Sequence, residues 1–589
     1  MPARQLIRRT LVTLCSCVAL SSAQVTPSIR SLDVTGNTVF TTREILEGVS
    51  TKASLPLSET IVNKDLAAIR ERYRQKGYLS AHVDSIERIF TADSALVDLS
   101  LRIIEGKQTV VGSIVISGQR ALSASEILAQ FDLSVGDPLN EAVLEQDIEA
   151  LLERYERMGY PFVGCHVAEM IGKQGVEEDS LEIMLMIDEG NRVTIDEIKV
   201  VGNKETDPGV VVREARLAYG EVYNPAKVAA IKPRLTRLNI FADVFEPELY
   251  VRDKKSGLLI KVREGNTNTF DGVIGYIPGT LSGEAGYVTG LASIAMRNLF
   301  GTGRKLSFRW QREDRFSQEL GIRYIEPWVF NFPANLGVGF FQRQQDTSYV
   351  RRVVDFKAEL MLSEELSVSL LLTTESVIPS ADSTINRVYR SNTTSYGAEL
   401  QYDTRDDIYS PTSGVRYKTD YQYGTKKVSN IPPSLTSQVD ARITLQKFNI
   451  DFDAYLSTFA RQVLAFGLHG KELKGGQLEE GEMYRFGGMR TLRGYRESQF
   501  LGSRVAWSNT EYRFILARRS FFYVFVDGGY YLRPADDVRG IARTDAFKYG
   551  YGLGLQLETG LGNLGVSFAL GQGDSFSNGK IHFGLINEF

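Results

Sequence analysis

Cysteine, histidine and tryptophan are scarce in this chain of 589 residues, with three, four and three copies. Cys15 and Cys17 fall close to the start, which leaves Cys165 alone further on and excludes an intramolecular disulfide there. His82, His166, His469 and His582 are scattered, so no metal-ligand spacing forms. Long apolar runs are missing as well. None approaches the roughly 20 residues that a membrane helix requires, and a helical membrane protein is excluded. That absence does not reach a membrane barrel, whose strands alternate apolar and polar residues and average out in a hydropathy window. Neither sign of charge dominates: 68 Lys and Arg against 72 Asp and Glu give a net −4, which offers neither a nucleic-acid surface nor an acidic tail. There is no G-x-S-x-G, no H-E-x-x-H and no P-loop, so no enzyme, cofactor or metal site is expected.

What is abundant is glycine, at 53, with 27 Tyr and 30 Phe, the composition of a chain with many strands and turns and aromatic interfaces. At the N-terminus, Arg4, Arg8 and Arg9 precede an uncharged stretch from Leu11 to Leu20, and Ser21, Ser22 and Ala23 follow. Those three regions in that order read as a secretory signal peptide over residues 1–23, so the rest of the chain is expected to be exported.

An internal repeat organises the next part. Val34-Thr35-Gly36-Asn37, Ile116-Ser117-Gly118-Gln119 and Val200-Val201-Gly202-Asn203 end a strand in the same turn, at spacings of 82 and 84 residues. A helix start follows each: Thr41 with Glu44 and Ser123 with Glu126 are capping boxes, and Asp207-Pro208 sets a cap residue before an N1 proline. Val62, Leu66, Ile69 and Tyr73 make an apolar helical stripe that repeats in register as Leu144, Ile148, Leu151 and Tyr155. Gly77-Tyr78 and Gly159-Tyr160 stop these helices, and two alternating strands close each unit at Glu105-Gly106, Glu189-Gly190 and Glu264-Gly265. The units read β-α-α-β-β over 24–107, 108–191 and 192–265.

The order of elements and the Gly-Tyr after the second helix resemble POTRA domains, the periplasmic modules that precede the barrels of the BamA/TamA superfamily. The third unit departs from the pattern: Pro233 interrupts the apolar series Val228, Ile231, Leu235 and Leu238, and a kink is expected there. Its Asn239-Ile240-Phe241-Ala242-Asp243-Val244 resembles the barrel-proximal POTRA. The edge strands of such domains suit β-augmentation by an extended client.

Residues 266–589 contain no convincing amphipathic helix; about sixteen segments of roughly ten residues alternate in apolarity between Gly, Asn, Asp and Pro. The fold class expected is therefore α+β repeats followed by an all-β domain, three tandem POTRA units and a 16-stranded antiparallel transmembrane barrel. In the last strand Ile581, Phe583, Leu585 and Phe589 fall on one face and His582, Gly584 and Glu588 on the other. Gly584, Leu585 and Phe589 resemble the terminal β-signal of outer-membrane barrels, although Asn587 stands where an apolar residue is usual.

One constellation is more specific. Arg493-Gly494-Tyr495 resembles the tip of the sixth extracellular loop in this superfamily, and Phe525-Val526-Asp527-Gly528-Gly529, with Asp527 lying 34 residues after Arg493, resembles its F-x-D-x-G strand. Glu511 sits where the intervening strand carries a second lumen acid. An arginine inside a lumen requires carboxylates against its desolvation, Gly494 permits the turn, and Tyr495 packs on the inner wall. Arg493 is expected to pair with Asp527 and Glu511, with Phe525 and Gly529 as the rest of the strand motif. Gly550, Gly552 and Gly554 alternate onto one strand face and suggest a close approach by that loop tip. Arg297–Gly303, Tyr324–Trp328 and Tyr402–Asp407 resemble further barrel landmarks of the superfamily.

The resemblance implies an outer-membrane factor that receives unfolded outer-membrane or secreted clients on its POTRA edges and passes them into lipid between its first and last strands. Asn266, Asn268, Asp271, Gly272 and Gly275 make a weak pairing sequence at that seam. Three units before a barrel suit the TamA branch, whose partner is a TamB-like periplasmic protein. A shortened BamA-type insertase with assembly lipoproteins, or a two-partner secretion transporter, is the alternative. No nucleic acid is implied.

Overall fold

The structure is a computed structural model, and it describes residues 27–586 apart from 254, 278–285, 313, 346–347, 380–387, 409, 432–435, 438, 537–539 and 560–561. The expected signal peptide and Phe589 lie outside the described residues. The first two repeats make up one compact unit, and the third repeat and the barrel a second.

In the first repeat the helices Thr42–Glu47 and Glu59–Arg74 cover a three-stranded sheet whose central strand, Leu96–Ile104, pairs parallel with Ser28–Thr35 and antiparallel with His82–Phe90. The second repeats this with helices Ala124–Leu128 and Glu141–Arg157 and strands Thr109–Ser117, Asp179–Asp188 and Gly164–Lys173. Both helix starts carry the expected reciprocal caps, Thr41 with Glu44 and Ser123 with Glu126. The cores superpose residue on residue: Val34, Ile45, Ile69 and Tyr73 are buried in one, Ile116, Ile127, Leu151 and Tyr155 in the other. Each such side chain contributes about 1.5 to 3 kcal/mol of burial.

A buried tyrosine hydroxyl requires an acceptor. Tyr73 donates to Glu105 at 2.8 Å and Tyr155 to Glu189 at 2.9 Å. The same carboxylates clamp the loop that leads from the first strand to the first helix. Glu105 accepts from the Thr38 and Val39 nitrogens at 2.7 and 2.9 Å, and Glu189 from those of Arg120 and Ala121 at 2.6 and 2.8 Å. Burial pushes these carboxyls up, but the converging donors outweigh it and hold both below the usual carboxylate range. The first two repeats are joined through backbone and side chains together. The Thr109 nitrogen donates to the Gly77 carbonyl at 2.8 Å, the Gln108 side chain to that of Lys76 at 2.9 Å, and Arg74 pairs with Glu141 at 2.6 Å.

The third repeat pairs Lys255–Glu264 with Glu197–Val201, Phe241–Val244 and Glu248–Arg252. Its second helix is split into Pro225–Ala229 and Ile231–Arg237. The break falls at Ala230, so Pro233 sits in the first turn of the second piece, where its missing N–H costs little. Glu264 takes the clamp position and accepts from the nitrogens of Lys204 and Thr206 at 2.9 and 2.6 Å. Here too burial is outweighed by these bonds, and its carboxyl is held down to about 2.

The clamped loop of the third repeat also meets the barrel. The Asp207 nitrogen donates to the Gly301 carbonyl at 2.8 Å, and the Trp328 indole to Glu214 at 2.6 Å. Glu364 receives Arg234 at 2.7 Å and Arg216 at 3.3 Å, while its carbonyl accepts from Arg237 at 2.8 Å.

The barrel sheet runs β1 (Asn268–Ile277), β2 (Tyr287–Leu299), β3 (Arg304–Arg312), β4 (Gln318–Glu326), β5 (Ala334–Gln345), β6 (Tyr349–Met361), β7 (Leu366–Pro379), β8 (Arg390–Asp403), β9 (Gly414–Ser429), β10 (Arg442–Phe459), β11 (Gln462–Lys474), β12 (Arg504–Ala517), β13 (Ser520–Arg533), β14 (Thr544–Thr559), β15 (Gly562–Gly571) and β16 (Lys580–Ile586). Each strand pairs antiparallel with the next, and among the described residues no ladder joins β1 to β16. Alternation divides each strand between two environments. On β13, Phe521, Tyr523, Phe525 and Asp527 are buried, whereas Val524 and Val526 are exposed on the outer face.

Candidate functional site: the loop lodged in the barrel

The segment between β11 and β12 carries a small hairpin, Tyr484–Phe486 with Phe500–Gly502, and its tip is packed rather than free. Phe486, Leu492, Tyr495 and Phe500 make an apolar cluster with Val505 and Trp507 of β12. Gly529 belongs to that packing: a Cβ there would lie 2.7 Å from the Phe486 ring and 3.1 Å from Leu492. Gly494 has φ +91, in the left-handed region, and presses its backbone against Leu570 and Gly571.

Arg493 is only 4% exposed and all three of its guanidinium nitrogens are used. Nε and Nη2 donate to the two oxygens of Asp527, each at 2.7 Å, and Nη1 donates to Glu511 at 2.6 Å. The Arg493 backbone nitrogen adds a bond to Asp527 at 3.0 Å. Glu511 also accepts from Arg513 at 2.8 Å, so two guanidinium groups face two carboxylates and the cluster is neutral. The guanidinium plane lies 3.6 Å from the centroid of Phe525, which gives that residue of the strand motif a contact of its own. Tyr495 donates from its hydroxyl to the Tyr549 carbonyl at 3.1 Å and accepts from the Gln572 nitrogen at 3.0 Å.

The three alternating glycines of β14 divide their work. Gly550 admits the loop tip, since a Cβ there would stand 1.9 Å from the Arg493 carbonyl oxygen. Gly552 and Gly554 do not meet the tip. At Gly552 an added Cβ would meet the Phe568 carbonyl oxygen of β15 at 2.0 Å and the Phe525 ring at 2.9 Å, and at Gly554 the Tyr523 ring at 2.3 Å; those rings flank the guanidinium. The expectation of loop contact at all three is thus corrected at two, because the β15 backbone and aromatic residues of β13 fill the space.

Of the terminal residues, Gly584 lies against Met489 of the loop, Leu585 pairs with Leu564 in the β15 ladder, and Phe589 lies outside the described residues. A second anchor escaped sequence reasoning. Lys426 on β9 is fully buried, with its ammonium 2.9 Å from Glu479 and 2.9 Å from Glu482 at the base of the same loop. The acids Glu479, Glu480 and Glu482 were visible as a cluster ahead of the tip, but no spacing links them to a lysine more than fifty residues earlier. The charged groups of the site hold one another, and the loop is fixed to the wall at both base and tip.

Comparison with known proteins decides the family. Residues 298–589 match the Omp85 superfamily domain, and residues 27–106, 109–189 and 193–265 each match the POTRA repeat, described as the surface antigen variable number repeat. The chain belongs to the Omp85 superfamily. Its barrel is thereby an outer-membrane domain and its POTRA repeats are periplasmic. The chain is similar to the outer membrane protein assembly factor BamA of Nitratidesulfovibrio vulgaris, 24% identical over 489 residues, covering 77% of this chain and 58% of that protein. It is also similar to the factor of the same name from Neorickettsia risticii, 24% identical over 330 residues, covering 54% of this chain and 43% of that one. The chain therefore spans less than two thirds of the length of these relatives. Among solved structures, CdiB from Escherichia coli shares the fold with a TM-score of 0.50 at 14% identity, covering 89% of this chain and 96% of that one.

Proposed function

We propose that this Omp85 protein is an outer-membrane assembly factor that takes unfolded clients on its POTRA edges and releases them into lipid between β1 and β16. The observation that carries this reading is the pair of barrel edges: sixteen strands in order, with no ladder between the first and last among the described residues. An unpaired edge is a template for an incoming strand. The arm supplies edges of the same kind. Among the described residues His82–Phe90 and Gly164–Lys173 each pair on one side only, and Ile89, Phe90, Met170 and Ile171 are exposed along them. Arg493, Gly494 and Tyr495, held by Asp527 and Glu511, are read as the lock that keeps the loop in place while the edges part.

The test is a cysteine pair across β1 and β16 in a background with the native cysteines replaced by serine. Oxidation should close the seam and abolish client insertion; full insertion with a complete crosslink would overturn the reading. The finer assignment is TamA-like, on the count of three repeats. Co-purification in mild detergent separates the branches: a large β-rich periplasmic protein supports it, assembly lipoproteins point to a BamA-type machine, and a single secreted exoprotein to two-partner secretion.

A further inference from the structure

The inner face of β16 touches the backbone of the loop tip through one side chain. His582 is buried, and its Nε2 stands 3.1 Å from the Gly494 nitrogen. A backbone N–H only donates, so Nε2 is the lone-pair nitrogen and the ring proton sits on Nδ1, which faces Glu497 at 4.0 Å. Two residues along, Gly584 lies so close to Met489 that a Cβ would approach its sulfur to 2.7 Å. The contacts matter because β16 is laddered only to β15, and among the described residues its other edge has no strand beside it. The loop tip takes the part of a second neighbour.

We infer that His582 is a positioning residue that ties the terminal strand to the loop tip, and that the tie holds only while its imidazole is neutral. The inference rests on reading the β1 and β16 edges as a seam. Protonation would put an N–H on Nε2, facing the N–H of Gly494, and two donors cannot bond. The charged groups around the ring are Glu497 and Arg493 from the loop, Asp527 from β13 and Lys580 on its own strand. Arg493 and Lys580 repel an imidazolium, and Asp527 is already engaged by Arg493 on both oxygens. Glu497 is left as the acid toward which the charged ring turns. That carboxylate accepts from the Met489 nitrogen at 2.7 Å, so drawing it to His582 also loosens the residue that rests on Gly584. Both contacts between tip and strand weaken together, while the pairing of Arg493 with Asp527 persists.

The experiment uses the full chain in lipid vesicles with the cysteines replaced by serine and nitroxide labels at Arg490 and Ile581, two exposed positions on the tip and on β16. Distances are read by pulsed electron paramagnetic resonance at about pH 8 and about pH 4.5, the second well below the ordinary histidine value of about 6.5 so that a buried imidazole is also protonated. An unsubstituted chain that stays short at both would overturn the inference. The expected result is one short population at the higher pH and a second, longer one at the lower. His582→Gln keeps an acceptor that does not titrate and should remain short at both. His582→Ala should show the longer population at both. An unchanged pH response in His582→Gln, or a His582→Ala distribution identical to that of the unsubstituted chain, would overturn the inference. No client is present in this measurement, so its outcome is separate from that of the seam crosslink.

Discussion

The arm and the barrel both bury carboxylates, and they use them in opposite ways. In the repeats Glu105 and Glu189 each accept from two backbone N–H groups and a tyrosine hydroxyl, and Glu105 accepts from the Thr38 hydroxyl as well. In the barrel Asp527 and Glu511 face guanidinium groups, one of them carried in by a loop. A carboxylate held by backbone of its own domain, however distant in sequence, fixes the shape of that domain and has no reason to let go. A carboxylate held by a cation on a separate segment forms a joint that can part, provided both charges find water or new partners when it does. The arm's carboxylates brace the domain that carries them, and the barrel's hold a separate segment against the wall.

The sharpest way to break this contrast is at the lock. Arg493→Ala or Asp527→Ala should lower stability by about 1 to 3 kcal/mol, less than the roughly 3 to 5 typical of a dry buried pair because a lumen is hydrated. The effect is read as a lower temperature at which the folded barrel loses its gel mobility. The double variant should be little worse than either single one, and fully additive losses would show that the two residues do not act together. Arg493→Lys should recover only part of the loss, since an ammonium cannot reproduce the two-pronged contact.

Acid provides the next effect and acts on the arm. Glu264 is held at about 2, below the unfolded value of about 4.3, so its contribution is complete above that unfolded value and is lost as pH falls toward 2. Glu105 and Glu189 shift in the same direction. The repeats should therefore keep full protease resistance at pH about 5 and lose it between about 4 and 2. Loss already near neutrality would contradict the clamp. Smaller again is Glu105→Gln, which keeps one acceptor and should cost about 1 to 2 kcal/mol in thermal unfolding of the arm. The smallest effect belongs to Tyr73→Phe, at about 1 kcal/mol, with Tyr155→Phe matching it if the two repeats are equivalent. Should Asp527→Asn prove as mild as Glu105→Gln, the distinction between carboxylates held by neutral donors and those held by a cation would collapse.

Features that depend on local order were legible in the sequence. Capping boxes, the tyrosine stripe and the alternation of barrel strands all arise from neighbours within a few residues, and the structure realises them. The meeting of Arg493 with Asp527 was also within reach, through resemblance to a motif rather than through spacing. The role of the glutamates at the unit ends was hidden. Glu105-Gly106 marks the close of a repeat, but its carboxylate reaches back 67 residues to Thr38, a distance that no local pattern encodes. Lys426 and His582 were hidden for the same reason, since each finds its partner only once the sheet has curved around the loop. At Gly552 and Gly554 the periodicity was right and the occupant was not, because the neighbouring β15 backbone and the aromatic rings of β13 take the space instead of the loop tip.

The joint between the repeats has a consequence for descent. Thr109 bonds to Gly77 by a backbone N–H and carbonyl, and Val193, which lies in the same compact unit, bonds to Gly159 by the same pair of atoms at the same length of 2.8 Å. The residue ahead repeats too, with the Gln108 side chain on the Lys76 carbonyl and that of Arg192 on the Met158 carbonyl. Because these bonds use main-chain acceptors, they place little demand on which side chains stand nearby. Unequal crossing-over that copied or deleted one whole period of coding sequence would bring together ends that already fit. Gene duplication could thus lengthen or shorten such an arm in a single step, without a compensating change at the splice.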